Sequence, residues 1–397
     1  MKILKIWFSE YPWDIRVEKI VQALMSDGHE VRLLCRNNRG EKMHEQNPFP
    51  IYRLPYIKKG NSVFNKLINL PAFFNPVWVM SIFNNLKKGR ADLIIVRDLP
   101  LTIPAILVGK IFKVKVIFDM AECHPEIFRN YFKWNFTSLF IQNPVVARVV
   151  ERFTIKNVDH IFVMCKESGE RLVALGADTA KITVISNTTV IDPNRQETSA
   201  KKGKGDLRLI YTGLLTSLRG VDIVIKGVNT LKNDYNLDVK FDIIGVGVFA
   251  DRLKRLVREL HLEDEVIFHG WVEHRNVERF IREADIGVLP LYNVSHYNVT
   301  LANKLFDYMA CSKPIITSDV VSMARIVQES GCGLIYKDKN IDQFVECVLT
   351  LSNAQLRNEL GENGRKAVND KYNWDIDAMR MLDVVHSISK KESYGEG

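Results

Sequence analysis

Short runs of β-branched and other apolar residues alternate with helical periods along almost the whole chain. In the first half the runs are Lys2–Phe8 (KILKIWF), Glu30–Cys35 (EVRLLC), Asp92–Arg97 (DLIIVR), Val114–Asp119 (VKVIFD), His160–Cys165 (HIFVMC) and Ile182–Ser186 (ITVIS). Between them lie helical segments such as Arg16–Gly28 (RVEKIVQALMSDG), whose glycine suits a helix C-terminus. Near-continuous apolar strands separated by helices predict a parallel sheet covered on both faces. Right-handed crossovers then give a doubly wound α/β domain.

Pro193–Asp206 (PNRQETSAKKGKGD) interrupts the pattern with linker composition. The alternation then restarts with Leu207–Gly213, Val239–Gly245, Glu265–Gly270, Asp285–Pro290, Lys313–Ser318 and Gly333–Tyr336. The expected organisation is a Rossmann-like domain over residues 1–190, a linker over 191–206, and a second Rossmann-like domain over 207–375. A C-terminal helix over 376–397 should pack back toward the first domain and end in a frayed tail. Two such domains imply a cleft between them. Open parallel sheets bind ligands outside the carboxyl ends of their strands, so the chemistry should lie just after strands.

A length of 397 residues agrees with two domains rather than one. The six cysteines, Cys35, Cys123, Cys165, Cys311, Cys332 and Cys347, are scattered and form no Cys-x-x-Cys pair. They read as reduced, mostly buried thiols of a cytoplasmic protein, against a disulfide frame or a zinc site. The first residues lack the long apolar core of a signal peptide.

Charge adds one further question. The net +8 is concentrated in the first half, and there Lys58, Lys59, Lys66, Lys87, Lys88 and Arg90 flank a charge-free run from Leu67 to Leu86. Pro71, Pro76 and several asparagines argue against a spanning helix. Two readings remain: surface helices packed on the domain, or a peripheral contact with the inner face of the membrane that inserts Trp78 and phenylalanines. The basic charge is spread out and no nucleic-acid motif appears, so nucleic acid is not an expected partner.

Candidate chemistry is densest in the second domain. After the strand ending at Gly213, a polar turn leads to Arg219-Gly220 and a helix. Gly213 permits close approach to a ligand, while the helix start and Arg219 suit a phosphate. Gly245 and Gly247 follow the next strand, and Gly270, Trp271 and Val272 the one after; an aromatic and a backbone edge there could frame a flat base. The segment Asn298–Asp319 (NVTLANKLFDYMACSKPIITSD) places Thr300, Leu301, Asn303, Lys304 and Asp307 at the start of another helix, which presents Leu305, Phe306 and Met309 to a core. Free amides and Lys304 suit a diphosphate. Asp307 would repel phosphate but can accept hydrogen bonds from a ribose diol. In the first domain Arg16, Asp119 and Glu122 sit at strand ends, with His124 nearby. They are candidates for the acceptor side, although Asp119 and Glu122 could instead cap the following helix.

Taken together, YTGLLTSLRG, IIGVGVFADRLKRLVRELHLEDEVIFHGWV, READIGVLP and NKLFDYMACSKPIITSD resemble the nucleotide-sugar-binding domain of retaining glycosyltransferases of the family four (GT4) type, with the GT-B fold. YPWDIRVEKIVQALMSDGHEV and VIFDMAECHPE are similar to pieces of that family's first domain. The resemblance implies transfer of a sugar from a nucleotide-diphosphate donor, a UDP-sugar, to an acceptor hydroxyl of a surface glycan or lipid-linked oligosaccharide. It implies retention, no cofactor and no obligatory metal. It casts Arg219 and Lys304 as the cations facing the departing diphosphate, Asp307 as the ribose carboxylate and Glu122 as an acceptor-side catalytic group. Several positions depart from the family pattern. Val299 stands where a carboxylate touches the donor sugar, with Asn298 or Thr300 as substitutes. Leu214 replaces a basic residue after Gly213, Ala121 a histidine, and Val246 an acid. Val299 and Ala121 favour one rival, a non-catalytic GT-B partner subunit; a second rival is a nucleotide-sugar epimerase, which can share the fold. A nicotinamide dehydrogenase fits poorly, because Ser9-Glu10-Tyr11-Pro12-Trp13-Asp14, rather than a glycine fingerprint, lies beyond the first strand.

Overall fold

The computed structural model describes residues 1–12, 14–46, 49–56, 70, 73–131, 142–191 and 207–393. It divides into two compact units, Met1–Ser186 with Asp377–Gly397, and Asn187–Ile376. Each of the twelve runs expected from the sequence forms a strand, and two short strands join them.

In the first unit the strands are β1 (Lys2–Ile6), β2 (Glu30–Cys35), β3 (His44–Glu45), β4 (Ile51–Arg53), β5 (Leu93–Arg97), β6 (Lys115–Met120), β7 (His160–Val163) and β8 (Ile182–Val184). Their order is β3-β4-β2-β1-β5-β6-β7-β8, all parallel except the β3–β4 pair at the edge. β1 lies at the centre, with Ile3 opposite Val31 on one side and Leu93 on the other. The second unit contains β9 (Leu207–Thr212), β10 (Val239–Ile244), β11 (Val266–Gly270), β12 (Ile286–Leu289), β13 (Ile315–Ser318) and β14 (Gly333–Tyr336), in the order β11-β10-β9-β12-β13-β14. Every pairing in this sheet is parallel. Helices cover both sheets, which is why the strands carry apolar side chains on both faces. β3 and β4 escaped the sequence pattern because two and three residues are too short to show a period.

Chain order reverses between β1 and β5 in the first sheet and between β9 and β12 in the second. At such a switch point the two adjoining crossovers leave in opposite directions and open a crevice at the strands' carboxyl ends.

The membrane reading of Trp78 is corrected here. The helix Pro76–Lys88 starts at an Asn75 cap and buries Trp78, Ile82 and Leu86 in the core of the first unit. Trp78 has no exposed surface, so it cannot enter a bilayer. Lys58, Lys59, Lys66 and the start of the charge-free run lie outside the described residues, as do most of the expected linker and the tail 394–397. Among the described residues no helix is long and apolar enough to cross a membrane.

Buried charge is matched internally in the first unit. Asp119, at the end of β6, accepts from Lys5 Nζ at 2.7 Å and from Arg16 Nη2 at 2.7 Å and Nε at 3.1 Å. Arg16 Nη1 donates to the Ile185 carbonyl at 2.9 Å. All three side chains are buried. Burial alone would push the Asp119 carboxyl up, but Arg16, Lys5 and Arg97 together hold it well below the usual carboxylate range. Replacing Asp119 by Asn leaves two buried cations without a counter-charge, a class of change that costs about 3–5 kcal/mol. Urea denaturation should show that loss at neutral pH. Because the folded-state carboxyl titrates below the unfolded one, the wild-type contribution is complete above about pH 4 and fades only under stronger acid. A D119N midpoint equal to that of the wild type would refute this account.

Candidate active site

The second unit's switch point is framed by the turn after β9 and the loop after β12. The β9 turn begins at Gly213, with φ +128°. Its amide donates to the Ile244 carbonyl at 2.8 Å, and the Gly245 amide donates to the Gly270 carbonyl at 2.8 Å. The ends of β9, β10 and β11 are thus stitched together by their glycines. A Cβ on Gly213 would lie 2.5 Å from Lys304 Nζ, and one on Gly245 would lie 1.8 Å from the Gly213 carbonyl oxygen. A side chain at Gly245 would displace the turn, and one at Gly213 would push the Lys304 ammonium from its place and strain a positive φ. Gly247 lies in the turn that leads to the helix Ala250–Glu259, accepting from the Ala250 amide at 3.1 Å.

The helix expected near Leu301 runs from Asn303 to Ala310, with Ala302 as its cap and no side-chain capping bond. Leu301 is buried ahead of it. Leu305, Phe306 and Met309 enter the core as the sequence pattern requires, and so does Tyr308. The Tyr308 hydroxyl accepts from the Thr212 amide at 3.0 Å, tying this helix to the end of β9. Asn303 is exposed and Asp307 half-buried.

Lys304 reaches across this framework. Its Nζ lies 3.9 Å from the centroid of the Tyr211 ring, is buried, and has no hydrogen-bond partner. Burial first, and Arg219 second, depress the Lys304 pKa well below the ordinary lysine value; Asp307 opposes them by attraction. Arg219 lies over the Tyr297 ring at 5.2 Å, and its Nε is likewise buried without a partner. Two neighbouring cations, each resting on an aromatic face and neither ion-paired among the described residues, make a strongly positive point beside the glycine turn. Tyr211, Tyr297 and Tyr308 were not singled out from the sequence. The tyrosine in YTG was visible there, but nothing in its spacing shows that it lies under a lysine.

Other expected residues are placed differently. Gly270 ends β11, and Trp271 beyond it is largely exposed, with Val272 half-buried. Thr300 is buried, donating from Oγ1 to the His296 carbonyl at 3.0 Å. Asn298 donates to Asn293 at 2.7 Å and accepts from the Val321 amide at 2.9 Å. Both substitutes for the missing carboxylate at Val299 therefore have side-chain bonds within the protein.

The first unit's candidates lie apart from these in the chain's organisation. Arg16 and Asp119 are joined in the buried network, a structural occupation in place of the expected acceptor contact. Neither Asp119 nor Glu122 caps the helix His124–Asn130, whose cap is Cys123. Glu122 is exposed, and its amide donates to Asp98 Oδ1 at 3.0 Å. His124 is buried, between the edges of Phe8 and Phe128. At this unit's switch point Arg97 is ion-paired with Asp14 and with Asp98. Among the described residues one group of metal-ligand type gathers, Asp27 with His29 and His386. His386 Nε2 hydrogen-bonds Asp27 Oδ2 at 2.6 Å, and His29 Nε2 lies 3.1 Å from the same oxygen while its Nδ1 bonds the Met1 amine at 3.2 Å.

Two family profiles divide the chain between them. "Glycosyl transferase 4-like domain" matches residues 14–188 and "Glycosyl transferases group 1" matches residues 193–367. The sucrose-phosphate synthase of Thermosynechococcus elongatus superimposes with a TM-score of 0.79 at 17% identity, over 98% of this chain and all of that one. The chain belongs to the GT-B glycosyltransferases of the GT4 type. Another GT-B structure, Anabaena HepE in complex with UDP-glucose, gives a TM-score of 0.71 at 14% identity, covering 98% of this chain and 100% of that one. An uncharacterized glycosyltransferase of Methanocaldococcus jannaschii is 24% identical over 230 residues, 58% of this chain. The chain spans about half to two thirds of the length of the first curated relatives it matches. In this GT-B glycosyltransferase the Lys304–Arg219 pair falls within the group 1 match and at the switch point of its sheet.

An unpaired buried ammonium costs stability, so Lys304→Met should raise the melting temperature of the ligand-free protein at neutral pH. Because the folded-state pKa is depressed, the gain should shrink as pH rises toward the ordinary lysine value of about 10.4. Differential scanning calorimetry of both proteins across that range tests the point, and a lower melting temperature for the Met variant at neutral pH would overturn it.

Proposed function

We propose that the protein transfers a sugar from a UDP-sugar to an acceptor hydroxyl of a surface glycan or lipid-linked oligosaccharide, in the cytoplasm and with retention at the anomeric carbon. One observation carries the reading: among the described residues Lys304 and Arg219 have no ion-pair partner at the switch point of the second sheet, where a diphosphate would supply their counter-charge. The GT4 resemblance and the UDP-glucose complex of a protein of the same fold support the choice of donor.

In the proposed reaction the bond between the anomeric carbon and the β-phosphate oxygen breaks, and charge grows on the leaving diphosphate. Arg219 and Lys304 stabilise that charge from fixed positions, so little reorganisation is needed as it develops. The acceptor oxygen bonds to the anomeric carbon on the face the phosphate leaves, and its proton passes to the phosphate oxygen. No protein nucleophile is required. Asp307 accepts from the ribose hydroxyls. The turn glycines Gly213 and Gly245 let the backbone approach the phosphates. Trp271 with Val272 borders the base, and Glu122 with His124 belongs to the acceptor side. The two cations provide positive charge in the protein itself, so the mechanism calls for no metal or other cofactor.

Three measurements test this. Thermal shift with UDP, GDP, ADP and CMP should give the largest stabilisation with UDP, and no shift with any nucleotide would end the proposal. Asp307→Ala should weaken UDP binding by about 1–3 kcal/mol, the scale of hydrogen bonds to a charged group. Arg219→Ala should lower turnover more than donor affinity, since the leaving charge is largest in the transition state. Turnover of a donor without any acceptor would point instead to an epimerase.

Lys304 also couples binding to protons. Its pKa starts depressed by burial and by Arg219, and a bound diphosphate raises it. Above the ligand-free value, UDP binding should therefore take up a proton, and affinity should fall as pH rises through the window between the free and bound values. Calorimetry in buffers of different ionisation enthalpy would register that uptake, and Lys304→Met should remove it. An equal proton uptake in the variant would assign it to another group.

A further inference from the structure

The helix Pro144–Asn157 in the first unit has two unlike faces. Its inward face carries Ala147, Val150, Glu151, Thr154 and Ile155, all buried. The one acid of the helix is on that side, where Glu151 bonds Arg171 at 2.9 Å. Outward it presents Val145, Val146, Val149 and Phe153 among Arg148, Arg152 and Lys156. Val145 and Val149 are 64% and 62% exposed. The outer face of a helix on a water-soluble domain is normally polar. Here four apolar side chains alternate with three cations, and this face carries no acid of its own. Arg148 makes a long contact of 3.5 Å with Glu126, whose side chain is mostly buried.

We infer that the Val145–Lys156 face of this helix docks the protein on an anionic lipid surface, with the valines and Phe153 entering the headgroup boundary and the cations meeting lipid phosphates. The alternation fits this partner: apolar side chains gain by leaving water, and basic ones gain from the negative surface. A second copy of the chain fits less well. A two-fold contact between identical faces would set each row of cations against its own kind. The inference does not depend on the donor-site reading. It also places membrane contact on a different helix from the one that buries Trp78.

Sedimentation with phosphatidylcholine vesicles, with and without phosphatidylglycerol, tests the assignment on the full-length protein. The wild type should bind the mixed vesicles at least about tenfold more tightly, and added salt should weaken that binding. Val145→Asp with Val149→Asp should cut binding to the mixed vesicles about tenfold or more. Arg148→Gln with Arg152→Gln should remove most of the preference for phosphatidylglycerol. The thermal shift produced by UDP should be the same in all three proteins, which separates failure here from failure of the nucleotide site. Equal binding by the wild type and the valine variant would overturn the inference. So would a concentration-dependent dimer that the valine variant abolishes, since self-association would then explain the exposed face.

Discussion

Positive charge taken out of water has to be balanced, and the two sheets balance it in different ways. Both gather cations near the carboxyl ends of their central strands, where the fold opens a crevice. In the first sheet the counter-charges come from the same unit. Asp119 takes Lys5 and Arg16, and Arg97 takes Asp14 and Asp98. In the second, Lys304 and Arg219 rest on tyrosine rings and, among the described residues, neither forms a salt bridge. A tyrosine face compensates a cation only in part, by about 0.5–2 kcal/mol. The second switch point therefore retains an attraction for an anion, and the first does not. One fold repeated twice thus yields one internally neutralised edge and one that is electrostatically incomplete.

The incomplete edge is also held rigidly. Gly213 and Gly245 bond to the strand or turn beside them, and the Tyr308 hydroxyl pins the Asn303–Ala310 helix to the end of β9. Tyr211 holds its own turn by donating to the Leu214 carbonyl at 2.8 Å. These bonds fix the cations by fixing what lies beneath them. Such support is needed if electrostatic stabilisation is to act at the moment of bond breaking, without the site first having to rearrange.

The sheets were legible from the chain because a strand buried on both faces needs an unbroken apolar run. Twelve runs of that kind appear, separated by helical periods. In the second unit the glycines and Arg219 could be placed because they follow strand ends at short spacing, and Lys304 because it opens a helix. Partnership was not legible. Arg16 and Asp119 occupy the same kind of position as Arg219 and Lys304, yet they bond one another across more than a hundred residues of sequence. Trp78 fails for a related reason. An amphipathic period shows that a helix has an apolar face but not whether the face meets the core or the surroundings. The helix Pro144–Asn157 is the reverse case: its outward apolar residues appear only once the inward ones are known.

Unsatisfied atoms alone would not have singled out Lys304. Arg97, Arg171 and Arg357 also leave a buried Nε without a partner. Each, however, bonds through a terminal nitrogen: Arg97 to Asp14, Arg171 to Glu151, and Arg357 to the Leu351 and Ser352 carbonyls. A guanidinium has five donors, and one idle donor leaves the cation well compensated. Lysine has one nitrogen, so an unpartnered Nζ means that the whole charge lacks a hydrogen-bonded counterpart. Lys304 carries that deficit beside two further unpartnered atoms, Arg219 Nε and Thr216 Oγ1, on a framework that the Thr212–Tyr308 bond holds in place. Unmet polar atoms gathered on a hydrogen-bonded framework are what a binding site requires, because the missing partners are then supplied by the ligand rather than by a rearrangement of the fold.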